Sequence, residues 1–486
     1  MRHLFVAATL LATAVPAFAQ TAAPALPAID TLTLRAHTRF LADDALEGRG
    51  TGTRGERIAA AYIASELERL GLRGAAADGR FLLPVPVRAA HVQPSTQLVL
   101  QNAASGATVF RHDDHFVLNT GGAAAFRDFA GDVLFAGPPA EAAMTLGSSD
   151  LRGKVIAVRG PLGAEALKLV PGWIEAGVTG VVLLVPDAGQ YDLYVRSRGD
   201  TRYFVAANVQ DPVWQPALPV IIAGPELSAA LLNGSSALNG CAVCTGYSIR
   251  VAVEVREREL PVANIAGIVP GRDPARRNEY VVYTAHYDHL GISVPDAAGD
   301  SIYNGFSDNA AGVAMLLSIA EALRDEPPAR SVMFVFLTGE ERGLLGASYL
   351  ASEPPVPLER MRALINLDAG APPAPPASWR IALGENNPLA PVIEDVARDN
   401  GWTVQLGAAS PNSDYWPFLQ RGVPAAFIIP GEVWENTSPE QRDALRRRWD
   451  RYHQAGDHYH PDFPFSGLRR YAEFALAVGL RVANGN

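Results

Sequence analysis

The sequence predicts an α/β fold: a mixed, mostly parallel sheet with helices on both faces, carrying a smaller strand-rich domain as an insert. Three observations lead there. From about Leu260 onward, short apolar runs alternate with segments of helical periodicity, as strands joined by helices do. Those runs are continuously apolar, which suits strands covered on both faces. Between Ala125 and Val253 the texture changes to short apolar runs divided by Gly, Pro and Asp turns, and this break marks the second unit.

Taken in order, the chain begins with a targeting segment. MRHLFVAATLLATAVPAFAQ has a basic start, an apolar stretch too short to span a bilayer, and the small-x-small pattern Ala17-Phe18-Ala19. Residues 1–19 are therefore expected to be a cleaved export signal that leaves no membrane anchor and sends the protein to the periplasm or the medium. In the segment from Phe40 to Gly74, apolar residues at helical spacing (Ile58, Ala61, Tyr62, Ile63, Leu67, Leu70) end in a glycine stop. Just before them, Gly50 to Gly55 formally spells G-x-G-x-x-G. No strand precedes it and no P-loop Lys-Ser/Thr follows, so it is not read as a nucleotide site.

The insert shows strand candidates in GDVLFAG, GKVIAVRG, TGVVLLVP and LPVIIAG, and a helix candidate in ELSAALLNG. It holds no cluster of catalytic residue types, so a binding or lid role suits it better than chemistry. The only two cysteines, Cys241 and Cys244, lie here. They lack the further ligands that a structural zinc needs. A small local disulfide or two free thiols both fit, and the pair is read as structural. Beyond Leu260 the strand candidates are VANIAGIVP, YVVYTAHYD, SVMFVFLTGE, ALINLDAG, WRIALGE and PAAFIIPGE. Helical periodicity runs through NAAGVAMLLSIAEALRD, RGLLGASYLAS and NPLAPVIEDVARDNG.

Composition narrows the function. A chain of 486 residues, 48% of them hydrophobic, can bury a large core in two or three domains. The net charge of −10 argues against nucleic-acid binding, which needs clustered Lys and Arg. The one basic cluster, Arg446 to Arg448 in RRRWDRY, reads as the solvated face of a helix.

The chemistry gathers at strand ends. His286 and Asp288 close one strand, and Asp308 lies in the Gly/Asn-rich loop that follows. Glu340 and Glu341 close the next strand, and Asp368 the one after. Ligand sites in open α/β sheets form outside the carboxyl ends of the strands. So many carboxylates at one edge would repel one another unless cations neutralised them. Asp308, Glu341 and Asp368 supply three negative charges, and two divalent cations would leave a positive excess that a hydroxide cancels. Such a balance fits a two-metal hydrolytic centre, with ions about 3.5–4 Å apart. Mixed imidazole and carboxylate ligands favour zinc, with manganese or cobalt as alternatives. A second histidine is then wanted, and DRYHQAGDHYHPD offers His453, His458 and His460.

These residues also carry a resemblance. TAHYDHLG, IYNGFSDNAAGVA, FLTGEERGLLGASYL, LINLDAG, SDYWPFLQRGVPA and YHQAGD resemble, in this order, the motifs of an exported zinc peptidase family. It includes secreted bacterial aminopeptidases, glutamate carboxypeptidase, glutaminyl cyclase and the non-enzymatic transferrin receptor. LADDALEGRGTGTRG is similar to the N-terminal segment of bacterial members, and DLRGKVIAVRGP with AGVTGVVLLV to their protease-associated domain. The resemblance implies a peptidase domain built from residues 20–124 and 254–486, with a protease-associated insert at 125–253. It implies two zinc ions bridged by Asp308, one held by His286 and Asp368 and the other by Glu341 and His453. Asp288 would orient the His286 ring by hydrogen bonding, and His289 would be a packing neighbour. Glu340 would be the general base, taking a proton from the attacking water and giving it to the leaving amine. His458 and His460 revert to surface residues. Phe306-Ser307, Ala369 and Tyr415 depart from the usual residues of the family, which blurs the side-chain pocket but leaves the metal set whole.

The reading that follows is an exported di-zinc aminopeptidase acting on peptides. A glutamate-releasing carboxypeptidase would need a basic cluster for a C-terminal carboxylate, which Arg446 to Arg448 could supply. Glutaminyl cyclase chemistry uses less than a full two-metal set, and a receptor-like protein would be expected to have lost ligands or base.

Overall fold

The computed structural model describes residues 26–485 apart from 104, 120–127, 139–140, 147–148, 161–168, 193–200, 207–217 and 234–242. The expected export signal and Cys241 lie outside the described residues. Cys244 is disulfide-bonded.

Among the described residues the main sheet has nine strands. Its principal path runs Val262–Val269, Ser331–Leu337, Tyr280–His286, Met361–Asn366, Ala425–Pro430, Ser378–Leu383 and Thr403–Ala408, with Arg73–Gly74 and Leu82–Val85 on the outer side of the first. The four strands from Ser331–Leu337 to Ala425–Pro430 are mutually parallel. Antiparallel neighbours flank them on both sides. The sheet is mixed, as the sequence predicts, and its parallel centre brings four strand ends to one edge.

Period-two alternation explains why these runs are apolar throughout. Val281, Tyr283 and Ala285 join Phe334 and Phe336 in the core on one face, while Tyr280 and Val282 join Met333, Val335 and Leu337 on the other. Helices Thr31–Leu41, Arg54–Arg69, Ala311–Arg324, Leu389–Asp399 and Ser466–Asn484 cover the first face, and Leu345–Ser352 and Trp416–Leu419 the second. Two of these helices have side-chain N-caps, Asp30 accepting from the Leu32 N–H and Thr53 from the Glu56 N–H. The C-terminal helix meets the sheet at a glycine. A Cβ on Gly479 would stand 1.8 Å from the Tyr283 hydroxyl, which donates to the Ala475 carbonyl at 3.0 Å.

Among the described residues the second unit is an eight-stranded sheet ordered Gly106–Arg111, Gln97–Asn102, Cys244–Ala252, Phe129–Phe135, Val155–Arg159, Gly180–Leu184, Val220–Ala223 and Phe116–Asn119. The four apolar runs read from the sequence are its spatial neighbours. Its boundary differs from the expected 125–253, because the strands at 97–102, 106–111 and 116–119 pair into it. The insert thus begins near Gln97. A three-stranded sheet of Thr201–Val205, Val87–Val92 and Val255–Glu259 joins the units, and Tyr203 lies under the Arg342 guanidinium, 5.0 Å from ring centroid to Cζ. Among the described residues no helix is long and apolar enough to cross a membrane.

Candidate metal centre

His286 is the last residue of its strand, and its Nε2 lies 3.1 Å from Asp308 Oδ1 and 2.9 Å from Asp368 Oδ1. The other Asp308 oxygen, Oδ2, is 3.0 Å from His453 Nε2, which is 3.4 Å from Glu341 Oε2. One carboxylate therefore faces two donor groups at once. All five residues expected as ligands come together, although they span from 286 to 453 in the chain.

Asp308 and Asp368 are fixed from behind. The loop that carries Asp308 is gripped by Asp457, whose carboxylate accepts from the Ser307 N–H at 3.1 Å, the Ser307 hydroxyl at 2.8 Å and the Asp308 N–H at 3.2 Å. Asp368 Oδ2 accepts from the Ser413 hydroxyl. Ser413 Oγ in turn accepts from Asn366 Nδ2 at 2.7 Å, and Asn366 Oδ1 from the Thr284 hydroxyl at 2.7 Å. This relay ties the Asp368 side chain across two neighbouring strands.

Asp288 takes a different part from the one expected. Its Oδ1 is 3.8 Å from His286 Nδ1, beyond hydrogen-bonding range, and the ring instead faces the Asp288 backbone carbonyl at 3.1 Å. The carboxylate accepts from the Thr51 hydroxyl at 2.8 Å and from the Glu340 N–H at 3.1 Å. Asp288 thus holds the turn that carries Glu340, while main chain orients the imidazole. His289, expected as a packing neighbour, sits 2.6 Å through Nδ1 from Glu341 Oε1. His458 and His460 do not join the cluster, and His460 packs its ring edge against Trp449.

Other contributors escaped the sequence reading. Arg49 is 1% exposed and donates to the carbonyls of Leu41, Tyr287, Asn304 and Gly305. Thr51 lies in the Gly50 to Gly55 stretch, whose glycines had suggested only a false nucleotide motif. Asp414 is fully buried, and neither carboxylate oxygen has a hydrogen-bond partner.

The electrostatics are those of a cation site. Burial raises the Glu340 carboxyl well above its usual range, opposed by His286 and reinforced by Asp368 and Asp414. Burial likewise opposes ionisation of Asp308 and Glu341, but imidazole hydrogen bonds outweigh it, holding Asp308 well below normal and Glu341 at about 2. The carboxylates raise His453 to about 10. Asp288, Asp308, Glu340, Glu341, Asp368, Asp414 and Asp457 crowd together, with Arg49 as the buried cation beside them. Divalent ions are what such an excess of carboxylates calls for. Two sets of donor atoms each fall within 4.8 Å internally, His286 with Asp308 and Asp368, and His289 with Asp308 and Glu341. The imidazole and carboxylate donor set suits zinc.

A cavity of about 560 Å³ is lined by Asp308, Glu340 and Asp368 together with Phe427, Ile429, Trp434, Trp449 and Tyr452. Arg380 and Arg446 also line it, and Arg446 is paired to Glu432 at 2.9 Å. On the helix Pro439–Trp449, Arg447 and Arg448 are exposed as expected, but Arg446 is partly buried and reaches the cavity. A second cavity of about 760 Å³ lies in the insert and contains the Asp132–Lys154 ion pair, but no converging set of acids and imidazoles.

Residues 264–478 match the family described as Peptidase family M28. Over 210 residues the chain is 28% identical to Aminopeptidase YwaD of Bacillus subtilis, covering 40% of this chain and 42% of that one. A probable zinc metalloprotease of Pyrenophora tritici-repentis is 30% identical over 217 residues, 36% of this chain and 49% of that one. The matches thus span about half the length of these relatives or less. Among solved structures, an aminopeptidase from Aneurinibacillus sp. strain AM-1 superposes with a TM-score of 0.56 at 16% identity, covering 94% of this chain and 95% of that one. A zinc aminopeptidase of Bacillus subtilis gives 0.51 at 19% identity, covering 94% and 96%. These two similarities speak for the fold, a zinc aminopeptidase-like sheet and its insert. Over residues 264–478, then, the chain is similar to peptidase family M28.

Proposed function

We propose that the protein is an exported di-zinc aminopeptidase that removes N-terminal residues from peptides. The observation that supports this best is the two-sided Asp308 carboxylate, one oxygen beside His286, which also meets Asp368, and the other beside His453, which also meets Glu341, in the lining of a cavity that Glu340 also lines. His286, Asp368 and Asp308 would hold one zinc, and Asp308, Glu341 and His453 the other, with manganese or cobalt as substitutes. Bound zinc would polarise the scissile carbonyl and lower the pKa of the attacking water. Glu340 accepts the proton of that water and passes it to the leaving amine, and the Asp288 contact to its N–H holds it in place. The apolar and aromatic walls of the cavity receive the side chain and shield the reaction from solvent.

A second reading has a specific observation behind it. Arg380 and Arg446 line the same cavity and offer the positive charge with which a carboxypeptidase would grip a C-terminal carboxylate. One assay separates the two. Peptides with free termini, N-acetylated peptides and C-terminally amidated peptides are incubated with zinc-loaded protein, and products are identified by mass. The aminopeptidase reading expects turnover of free and amidated peptides and none of N-acetylated ones. Turnover of acetylated but not amidated peptides would replace it with the carboxypeptidase.

A further inference from the structure

Resting on the two-zinc reading above, we propose that His289 is a positioning residue for Glu341. Its Nδ1–H holds one carboxylate oxygen, so that the other is presented to the metal site. The two oxygens of Glu341 have different neighbours: Oε1 is 2.6 Å from His289 Nδ1, while Oε2 is 3.4 Å from His453 Nε2. Asp308 shows the same sidedness, its Oδ2 lying 3.0 Å from His453 but 3.8 Å from His289.

Distance separates this role from direct ligation. Two donors of one tetrahedral zinc, each about 2.0–2.1 Å from the ion, stand roughly 3.3 Å apart. The His286 and His453 separations of 2.9 to 3.4 Å suit that edge. The His289 separation of 2.6 Å is too short for it and is that of a charge-assisted hydrogen bond.

The ring is built to stay where it is. His289 is fully buried, its Nε2 has no hydrogen-bond partner, and its N–H donates to the Arg49 carbonyl at 3.2 Å. A ring donating from Nδ1 leaves only a lone pair at Nε2, so the neutral tautomer strands no buried N–H. Gly305 packs its backbone against the ring: a Cβ there would lie 2.6 Å from both Cδ2 and Cγ of His289. Gly305 also has φ +59°, which favours glycine independently. Glu341, by contrast, rides on a short turn, Glu340–Arg342, between Gly339 and Gly343, both at positive φ. A long side chain on such a turn needs an external hold, and His289 supplies it.

The test compares the parent protein with His289→Ala, His289→Asn and His289→Gln, measuring zinc stoichiometry and affinity by chelator competition, with thermal unfolding as a check on folding. An asparagine amide can donate from near the Nδ1 position, whereas a glutamine amide reaches nearer Nε2. The parent is expected to bind two zinc ions. His289→Ala and His289→Gln should weaken one of them by about 10–100-fold, the usual effect of losing a group that orients a ligand, and leave the other unchanged. His289→Asn should recover most of the loss, and if the alanine variant does not fold, the asparagine and glutamine pair decides alone. Unchanged affinity in the glutamine variant, equal weakening of both ions, or no recovery with asparagine would overturn the assignment. A parent protein binding fewer than two ions would instead overturn the two-zinc reading on which it stands, and that is read before any variant is made.

Discussion

Replacing Arg49 with methionine removes four donations at once while nearly preserving volume. The guanidinium bonds to Tyr287 O at 2.9 Å, Asn304 O at 2.6 Å and Gly305 O at 3.0 Å, and to Leu41 O as well. Burial lowers its pKa to about 10, opposed by Asp308 and Asp288, so it carries its charge at neutral pH. Each buried carbonyl left unpaired costs about 1–3 kcal/mol. Against this stands the desolvation of the guanidinium itself, several kcal/mol, which the variant no longer bears. The balance is a loss of roughly 3–5 kcal/mol, the range seen when one member of a buried ionic arrangement is removed. At about 2–4 °C per kcal/mol for a domain of this size, unfolding should begin on the order of 10 °C lower. Arg49→Lys keeps the charge but has one nitrogen for four acceptors, and should fall between. Thermal scans of all three proteins with chelator and with zinc check the reasoning. A methionine variant that unfolds within about 2 °C of the parent in chelator would refute it.

Two further outcomes are expected. Glu340→Ala should retain both zinc ions while turnover falls by about 10²–10⁴-fold or more, whereas Glu341→Ala should lose affinity for one zinc and regain part of its rate when zinc is added; a metal lost from the first and kept by the second would mean the two neighbours are assigned the wrong way round. Expressed with its full N-terminus in a bacterial host, the protein should be recovered outside the cytoplasm with an intact mass that starts at Gln20, and recovery from the cytoplasm with residues 1–19 still attached would count against export.

What was legible in the sequence was whatever local pattern expresses. Strands Tyr280–His286, Ser331–Leu337 and Met361–Asn366 announce themselves because burial on both faces makes most of their residues apolar, and their acids stand out by following those runs. The insert boundary was missed for the opposite reason. Gly106–Arg111 is an edge strand, mostly exposed, and Gln97–Asn102 beside it is buried on alternate residues only, so neither shows the continuous apolar texture. The exchange of roles between Asp288 and its own carbonyl depends on the turn after His286, which residue types do not specify. His289 left a trace, a third ionisable side chain at a strand end, but its partner is 52 positions away. Arg49 left none, since its burial is created by carbonyls up to 256 positions distant.

Those long-range contacts have a common direction. Arg49 links the Tyr287 carbonyl, between His286 and Asp288, to the Asn304 and Gly305 carbonyls ahead of Asp308. Thr51 reaches Asp288, which holds the Glu340 N–H. Glu56 takes the Gly52 N–H at 2.5 Å and the Thr338 hydroxyl two residues before Glu340, and burial raises its pKa to about 8. Residues 49–56 therefore clamp the three turns that deliver His286, Asp308 and the Glu340–Glu341 pair. Residues 264–478 contain every candidate ligand and the candidate base, but the clamp lies outside them. Carboxylates packed this closely repel one another until cations are bound, so the turns that bear them need anchoring from a part of the chain that carries none of the ligands. The glycines at 50, 52 and 55 sit in tight packing: a Cβ on Gly50 would lie 3.2 Å from Gly291 Cα, one on Gly52 2.8 Å from the Leu260 side chain, and one on Gly55 would collide with the Leu46 carbonyl at 1.7 Å. A stretch that looked like a failed phosphate loop is thus glycine-rich for a packing reason, and its polar residues serve the metal site from behind.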